Sequence, residues 1–242
     1  MKLLNNYNKN VKVITFYKVV TKRFNKEFGL RDCKTIAIMG FKGGVGKSTI
    51  ANFLAEKLEN SVILNLDLYQ DAEDFNSSYT INLSKNQKIE EIKNQNEYDY
   101  IVVDAGGFDD ERLSKTQIDL FIFPTRTDYR SIKTTVDSAT TILQNSKSVL
   151  KNVMFIFNQY ESEKELNSAV EILKTIINLS NIVADDFYFF GIKKSNAVKT
   201  AIDKKMSIKE LMSSSKLASH TYKSFNNMFD ELAKEVKEIV EN

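Results

Sequence analysis

Glycine is scarce in this chain, and its placement constrains the fold more than any other feature. Of 242 residues only eight are glycine, at positions 29, 40, 43, 44, 46, 106, 107 and 191. Six of them stand in two short clusters, each following an apolar run: 35–39 (TIAIM) and 99–104 (DYIVVD). A chain this sparing places glycine where the backbone must take unusual angles or let something approach closely. After the first cluster, Ala51, Leu54, Ala55 and Leu58 recur at helical spacing. Strand, glycine turn and helix start together make an anion cradle, because free backbone N–H groups point into the turn and the helix dipole adds positive potential.

The remaining apolar runs set the frame around that cradle. Residues 61–66 (SVILNL), 118–124 (IDLFIFP), 152–158 (NVMFIFN) and 187–192 (FYFFGI) are continuously apolar rather than alternating. Helix-length polar sequence separates them, with helices expected over 85–95, 129–144 and 161–179, and two or more filling the chain after 192, the last over 228–240. This is the pattern of an α/β fold with a mostly parallel central sheet flanked by helices on both faces. A hydrophobic content of 42% with 27% charged residues is globular composition and excludes disorder as the main state. The longest apolar runs, about six residues, fall far short of the roughly 20 that cross a bilayer. The polar, Asn-rich start shows no signal peptide, and the single cysteine, Cys33, can neither form an internal disulfide nor hold a metal alone. A cytoplasmic protein is expected, with a basic N-terminal extension over 1–34 and one domain over 35–242. In the extension Val13, Phe16, Tyr17, Val20 and Phe24 fall at helical spacing among basic residues, and an amphipathic helix docked on the body or on a dimer partner is expected there, with a DNA or membrane contact as the alternative.

The first glycine cluster reads Gly40-Phe41-Lys42-Gly43-Gly44-Val45-Gly46-Lys47-Ser48-Thr49. Side chains would block a phosphate from the amides, which accounts for Gly43, Gly44 and Gly46. Lys47 can reach the β- and γ-phosphates, Ser48 can ligate Mg²⁺, and Thr49 falls near the α-phosphate. Phe41 stands where the ordinary P-loop has glycine, and Lys42 precedes the glycine pair. This form, KGGxGK[ST], is the deviant Walker A motif, and through it the chain resembles the ParA/MinD family of P-loop ATPases. The resemblance implies a P-loop NTPase fold, ATP and Mg²⁺ as cofactors, and an ATP-bound homodimer in which Lys42 reaches the partner's nucleotide. A second ammonium there would neutralise charge on the transferring phosphoryl group.

Other positions match the family in order. Asp104 ends an apolar strand and resembles the Walker B aspartate that holds Mg²⁺ through water; Gly106 and Gly107 resemble the switch that senses the γ-phosphate. Many relatives carry prolines there, so Ala105-Gly106-Gly107 departs from the commonest form. The family's acidic pair after the second strand is matched less well. Asn65 takes the place of the first acid and Asp67 that of the second, where a carboxylate would orient the attacking water. A register set on Gln70 instead leaves Asp67 between the two acidic positions. Asn158, ending the fifth expected strand, resembles an asparagine that reads the adenine edge, since an amide can both donate and accept. The resemblance thus implies Lys42, Lys47 and Asp67 as catalytic groups, with residues 42–49 and Asn158 binding ATP.

Charge separates the branches of the family. Residues 193–223 hold eight lysines and two acidic residues. Lys193, Lys194, Lys199, Lys204 and Lys205 are candidates for neutralising DNA phosphates without reading sequence. The iron-protein branch needs cluster cysteines that the chain lacks. Membrane cycling needs a basic amphipathic terminal helix, whereas the polar face of 228–240 is mostly acidic. The resemblance is therefore to short, partition-type ParA proteins. It implies an ATPase that dimerises on ATP, binds DNA non-specifically on the nucleoid and answers to a ParB-like or other activating partner, with no membrane contact. Two alternatives remain open: positioning of a protein assembly rather than DNA, and a weakly hydrolysing nucleotide-switch scaffold.

Overall fold

A strand sends successive side chains to opposite faces, so a run that is apolar at every position needs cover on both sides. The computed structural model, which describes residues 32–66, 80–106, 110–149, 151–204 and 206–241, meets that need with a parallel sheet between two helical layers. Seven strands are present among the described residues: β1 (Lys34–Ile38), β2 (Ser61–Asn65), β3 (Thr80–Asn82), β4 (Tyr100–Asp104), β5 (Leu120–Thr125), β6 (Asn152–Tyr160) and β7 (Asp186–Lys193). Their order across the sheet is β3-β2-β4-β1-β5-β6-β7, and every pairing is parallel.

The two faces build their cores in different proportions. On one, the sheet contributes mainly aliphatic side chains such as Ile36, Ile38, Val102, Leu120 and Ile122, and helices supply the buried phenylalanines. Helix α1 (Lys47–Lys57) sets Phe53 edge-on against Phe225 and Phe229, with centroids 5.4 and 5.3 Å away. On the other face the sheet carries the rings: Phe155 lies 5.9 Å from Phe123 and 6.3 Å from Phe187. There α2 (Ile89–Lys93), α3 (Glu111–Lys115), α4 (Tyr129–Asn145) and α5 (Glu163–Leu179) bring mainly aliphatic residues, Ile132, Val136 and Leu173 among them. Fully burying each such side chain is worth about 1.5–3 kcal/mol, so each core depends on covering layers drawn from distant parts of the sequence.

Three helices close the chain: α6 (Asn196–Lys204), α7 (Ile208–Ser213) and α8 (Lys216–Glu241). Helix α8 packs Phe225, Phe229, Leu232, Val236, Ile239 and Val240 on the core, as its apolar stripe predicts. It begins twelve residues before the expected start, because its first turns are held locally rather than by burial: Ser215 Oγ accepts from Ala218 N at 3.0 Å, and Leu217 is 77% exposed. Helix α1 is tied to this group at its far end, where Glu56 accepts from Ile208 N and Lys209 N, both at 2.8 Å, and Lys57 pairs with Asp230 at 2.9 Å.

The expected strands are all present with small shifts at their ends, while the helix expected over 85–95 is confined to Ile89–Lys93. Two elements were not anticipated. Strand β3 has three residues and is only half covered, too short for a hydrophobic pattern to register. Helix α3 has five residues, started by Asp110 accepting from Arg112 N at 2.9 Å. The expected helix within the extension lies outside the described residues, as does the segment 67–79.

Candidate nucleotide site

Beyond β1 the chain turns through three glycines at positive φ: Gly40 at +144°, Gly44 at +70° and Gly46 at +96°. Gly46 is the residue before α1, and a Cβ there would lie 2.2 Å from Asn158 Nδ2. Both the backbone angle and the close approach exclude a side chain. Around Gly43 and Gly44 an added Cβ would meet nothing within 4 Å. The loop is thus packed on its β6 side and open at its centre, which is the shape that lets a phosphate reach the amides.

Three loop carbonyls are held by side chains. Lys47 Nζ donates to Lys42 O at 3.2 Å, Arg126 Nη2 donates to Gly44 O at 3.1 Å, and Asn158 Nδ2 donates to Val45 O at 2.7 Å. Lys47 is buried, 8% exposed, at the first position of α1, with Ser48 and Thr49 half-buried beside it. Asn158 is 6% exposed at the carboxyl end of β6. Its amide nitrogen braces the loop, a contact that the expected adenine-reading role did not foresee.

Five adjacent strands align in one row near their carboxyl ends. Asn82, Asn65, Asp104, Ile38 and Ile122 are register partners across β3, β2, β4, β1 and β5. With strands about 4.8 Å apart, Asp104 stands one strand from the root of the loop and Asn65 stands two. Asp104 is buried, 6% exposed. Asn65 Nδ2 donates to Asn82 Oδ1 at 3.1 Å, so two amides occupy this end of the row. Gly106 follows Ala105, whose N–H donates to Ile38 O at 3.1 Å. Asp67 and Gly107 lie outside the described residues.

Lys42 lies against its own chain. Its ammonium donates to Ser131 Oγ, and Ser131 Oγ donates to Asp128 Oδ2. Asp128 also caps α4, accepting from Ser131 N at 2.9 Å. The Ser131 hydroxyl, with smaller help from the Ser131 N–H and the Lys42 charge, holds the Asp128 carboxyl below its ordinary value. Phe41 and Tyr129, 40% and 60% exposed, border this mouth.

Of the lysines proposed to meet DNA, Lys193, Lys194, Lys199 and Lys204 are exposed, and Lys205 lies outside the described residues. Lys194 is engaged, its ammonium 2.6 Å from Glu161 Oε1. Lys193 lines an open cavity of about 590 Å³ together with His220, Lys223 and Asn227. Sequence reasoning missed Arg126, which belongs to no motif. It also missed Asp128, whose spacing from Ser131 before a helical run was a readable cap signal.

Comparison with known proteins agrees with this geometry. The CobQ/CobB/MinD/ParA nucleotide binding domain matches residues 36–208. The chain belongs to that family. Among solved structures, pnob8 ParA superposes with a TM-score of 0.62 at 17% identity, over 87% of this chain and 99% of its own length. An ATP complex of a Cyanothece McdA variant superposes with a TM-score of 0.56 at 14% identity, over 86% of this chain and 98% of that one. At such identities the likeness is one of fold. No curated protein matches the chain significantly. Within this nucleotide-binding domain no described helix is long and apolar enough to cross a membrane.

Proposed function

We propose that this domain is a Mg²⁺-dependent ATPase that dimerises on ATP and, as a dimer, binds DNA without sequence preference to partition a plasmid or chromosome region. The observation that carries the nucleotide reading is the loop itself: glycines at positive φ, a β6 side too tight for a Cβ at Gly46, and an open centre beneath the α1 dipole. In this reading the amides of 43–49 hold the phosphates, Lys47 supplies charge to the β- and γ-phosphates, and Asn158 faces the base. Among the described residues no three His, Cys, Asp or Glu side chains are grouped to hold a metal ion. Mg²⁺ carried on nucleotide phosphates needs no such cage. Ser48 and Asp104 are the residues that would hold it, a hydroxyl and a carboxylate suited to a hard cation, which would neutralise charge developing between the phosphates.

Lys42 has a double role in this proposal. In one chain it rests on Ser131 and Asp128; on dimerisation it turns to the partner's nucleotide. Asp67 orients the attacking water, and the amides of Asn65 and Asn82 beside Asp104 favour slow hydrolysis raised by an activating partner. Gly106 and Gly107 follow the γ-phosphate.

Sedimentation of the full chain with and without Mg-ATP, and with DNA, tests the proposal. Mg-ATP is expected to double the sedimenting mass and retain DNA in a salt-sensitive way, whereas ADP does neither; Lys42→Ala is expected to keep ATP affinity within about threefold while losing the dimer. ATP bound by a molecule that stays single overturns the dimer switch. A dimer that ignores DNA moves the cargo to a protein assembly.

A further inference from the structure

Arg126 belongs to no motif, yet it touches the phosphate loop. It follows Thr125, the last residue of β5, and its guanidinium spans two acceptors: Nη2 donates to Gly44 O at 3.1 Å, and Nη1 donates to Gln159 Oε1. Gln159 holds φ at +65°, a left-handed conformation that is costly for a non-glycine residue and that gathers at working sites. One residue earlier on β6, Asn158 donates to Val45 O at 2.7 Å. Two consecutive loop carbonyls are therefore gripped by side chains from the ends of β5 and β6.

A carbonyl and the N–H of the following residue share one rigid plane and point in opposite directions. Holding Gly44 O against Arg126 aims Val45 N–H the other way, and holding Val45 O against Asn158 does the same for Gly46 N–H. A cation on the carbonyl also polarises its peptide, which strengthens the N–H as a donor to an anion. A lysine ammonium is a compact charge with three rotatable donors and lacks the planar fork that holds two separate acceptors in fixed geometry.

We infer that Arg126 is a positioning residue for the phosphate loop, anchored by Gln159, and that it presets Val45 N–H for a nucleotide phosphate through the Gly44 carbonyl. This rests on the nucleotide reading of the loop. Val149, Leu179 and Val183, large apolar residues that are exposed elsewhere, show no comparable convergence.

The test is titration of a fluorescent ADP analogue with Mg²⁺ into the full chain and three variants, with melting curves of the nucleotide-free proteins. Arg126→Ala weakens ADP about tenfold and leaves the melting temperature within about 2 °C; Arg126→Lys recovers part of the loss. Gln159→Leu weakens ADP by a smaller factor, and combined with Arg126→Ala it adds nothing further. ADP affinity within twofold of wild type in Arg126→Ala overturns the inference. So does independent multiplication of the Arg126 and Gln159 effects, which marks a direct contact, and so does a melting loss of several degrees shared by Ala and Lys, which marks a purely structural bridge. A wild-type chain that binds no ADP defeats the nucleotide reading instead, a distinct result.

Discussion

The phosphate loop and the stretch 193–223 are both marked by lysine, and the fold treats their lysines in opposite ways. In the loop, Lys47 is buried and Lys42 is laid against Ser131 beside Asp128. In the stretch, Lys193, Lys199, Lys204, Lys209, Lys216 and Lys223 are exposed on strand end and helices, and Lys194 alone of the proposed DNA contacts among the described residues is shown in an ion pair. A lysine fixed in a cradle acts through position and desolvation; a lysine on an open face acts through charge that salt can screen. The two regions should therefore fail differently when altered.

The largest effect is expected inside the cradle. Lys47→Ala should weaken ATP binding at least about 100-fold, near 2.7 kcal/mol, and calorimetry at two salt concentrations should find the loss nearly constant. A loss of less than threefold would break the contrast by showing the loop to be a charge surface too. A smaller, salt-graded effect is expected in the basic stretch. Lys199→Glu with Lys204→Glu should leave ATP affinity unchanged and make the dependence of DNA retention on log salt shallower by about 2. Lys194→Glu should do less than either, since Glu161 already engages that ammonium; equal effects would show the ion pair to be irrelevant.

The smallest effect sharpens the boundary between the regions at Asp128. Its cap on α4 is worth about 1 kcal/mol, so Asp128→Ala should lower the melting temperature by roughly 2–4 °C at neutral pH. The folded carboxyl titrates below the ordinary 3.8. Its stabilisation is therefore complete above the unfolded pKa and is lost as pH falls through the depressed one. The melting gap between wild type and variant should narrow only in that acid range.

The legibility of the two regions follows the same division. The loop was readable because contiguous residues make it: 40–49 carry the turn, the helix start and the lysines, and the glycines explain themselves by angles that only glycine holds comfortably. Asp104 was readable because an acid ending an apolar strand is conspicuous. Arg126, Ser131 and Gln159 were not, since their contacts join residues 33 to 89 apart in sequence and depend on which strands lie beside β1. Asn158 was placed at the right strand end, but its grip on Val45 is a property of packing. The face of each core was equally hidden: the apolar runs announced a covered sheet, while the gathering of Phe123, Phe155, Phe187 and Phe189 on one side follows from strand order. Composition alone marked the basic stretch, because exposure and pairing of its lysines are set by the fold.

Helix α1 begins with Lys47 and Ser48, and one residue before its end it holds the start of α7 through the Glu56 carboxylate. Eleven residues of helix make a stiff strut of about 16 Å. A tilt of the strut at the mouth of the loop would be felt at its other end on the same face of the sheet, where α7 and α8 carry Lys209, Lys216 and Lys223. One helix and one carboxylate thus join the two lysine populations.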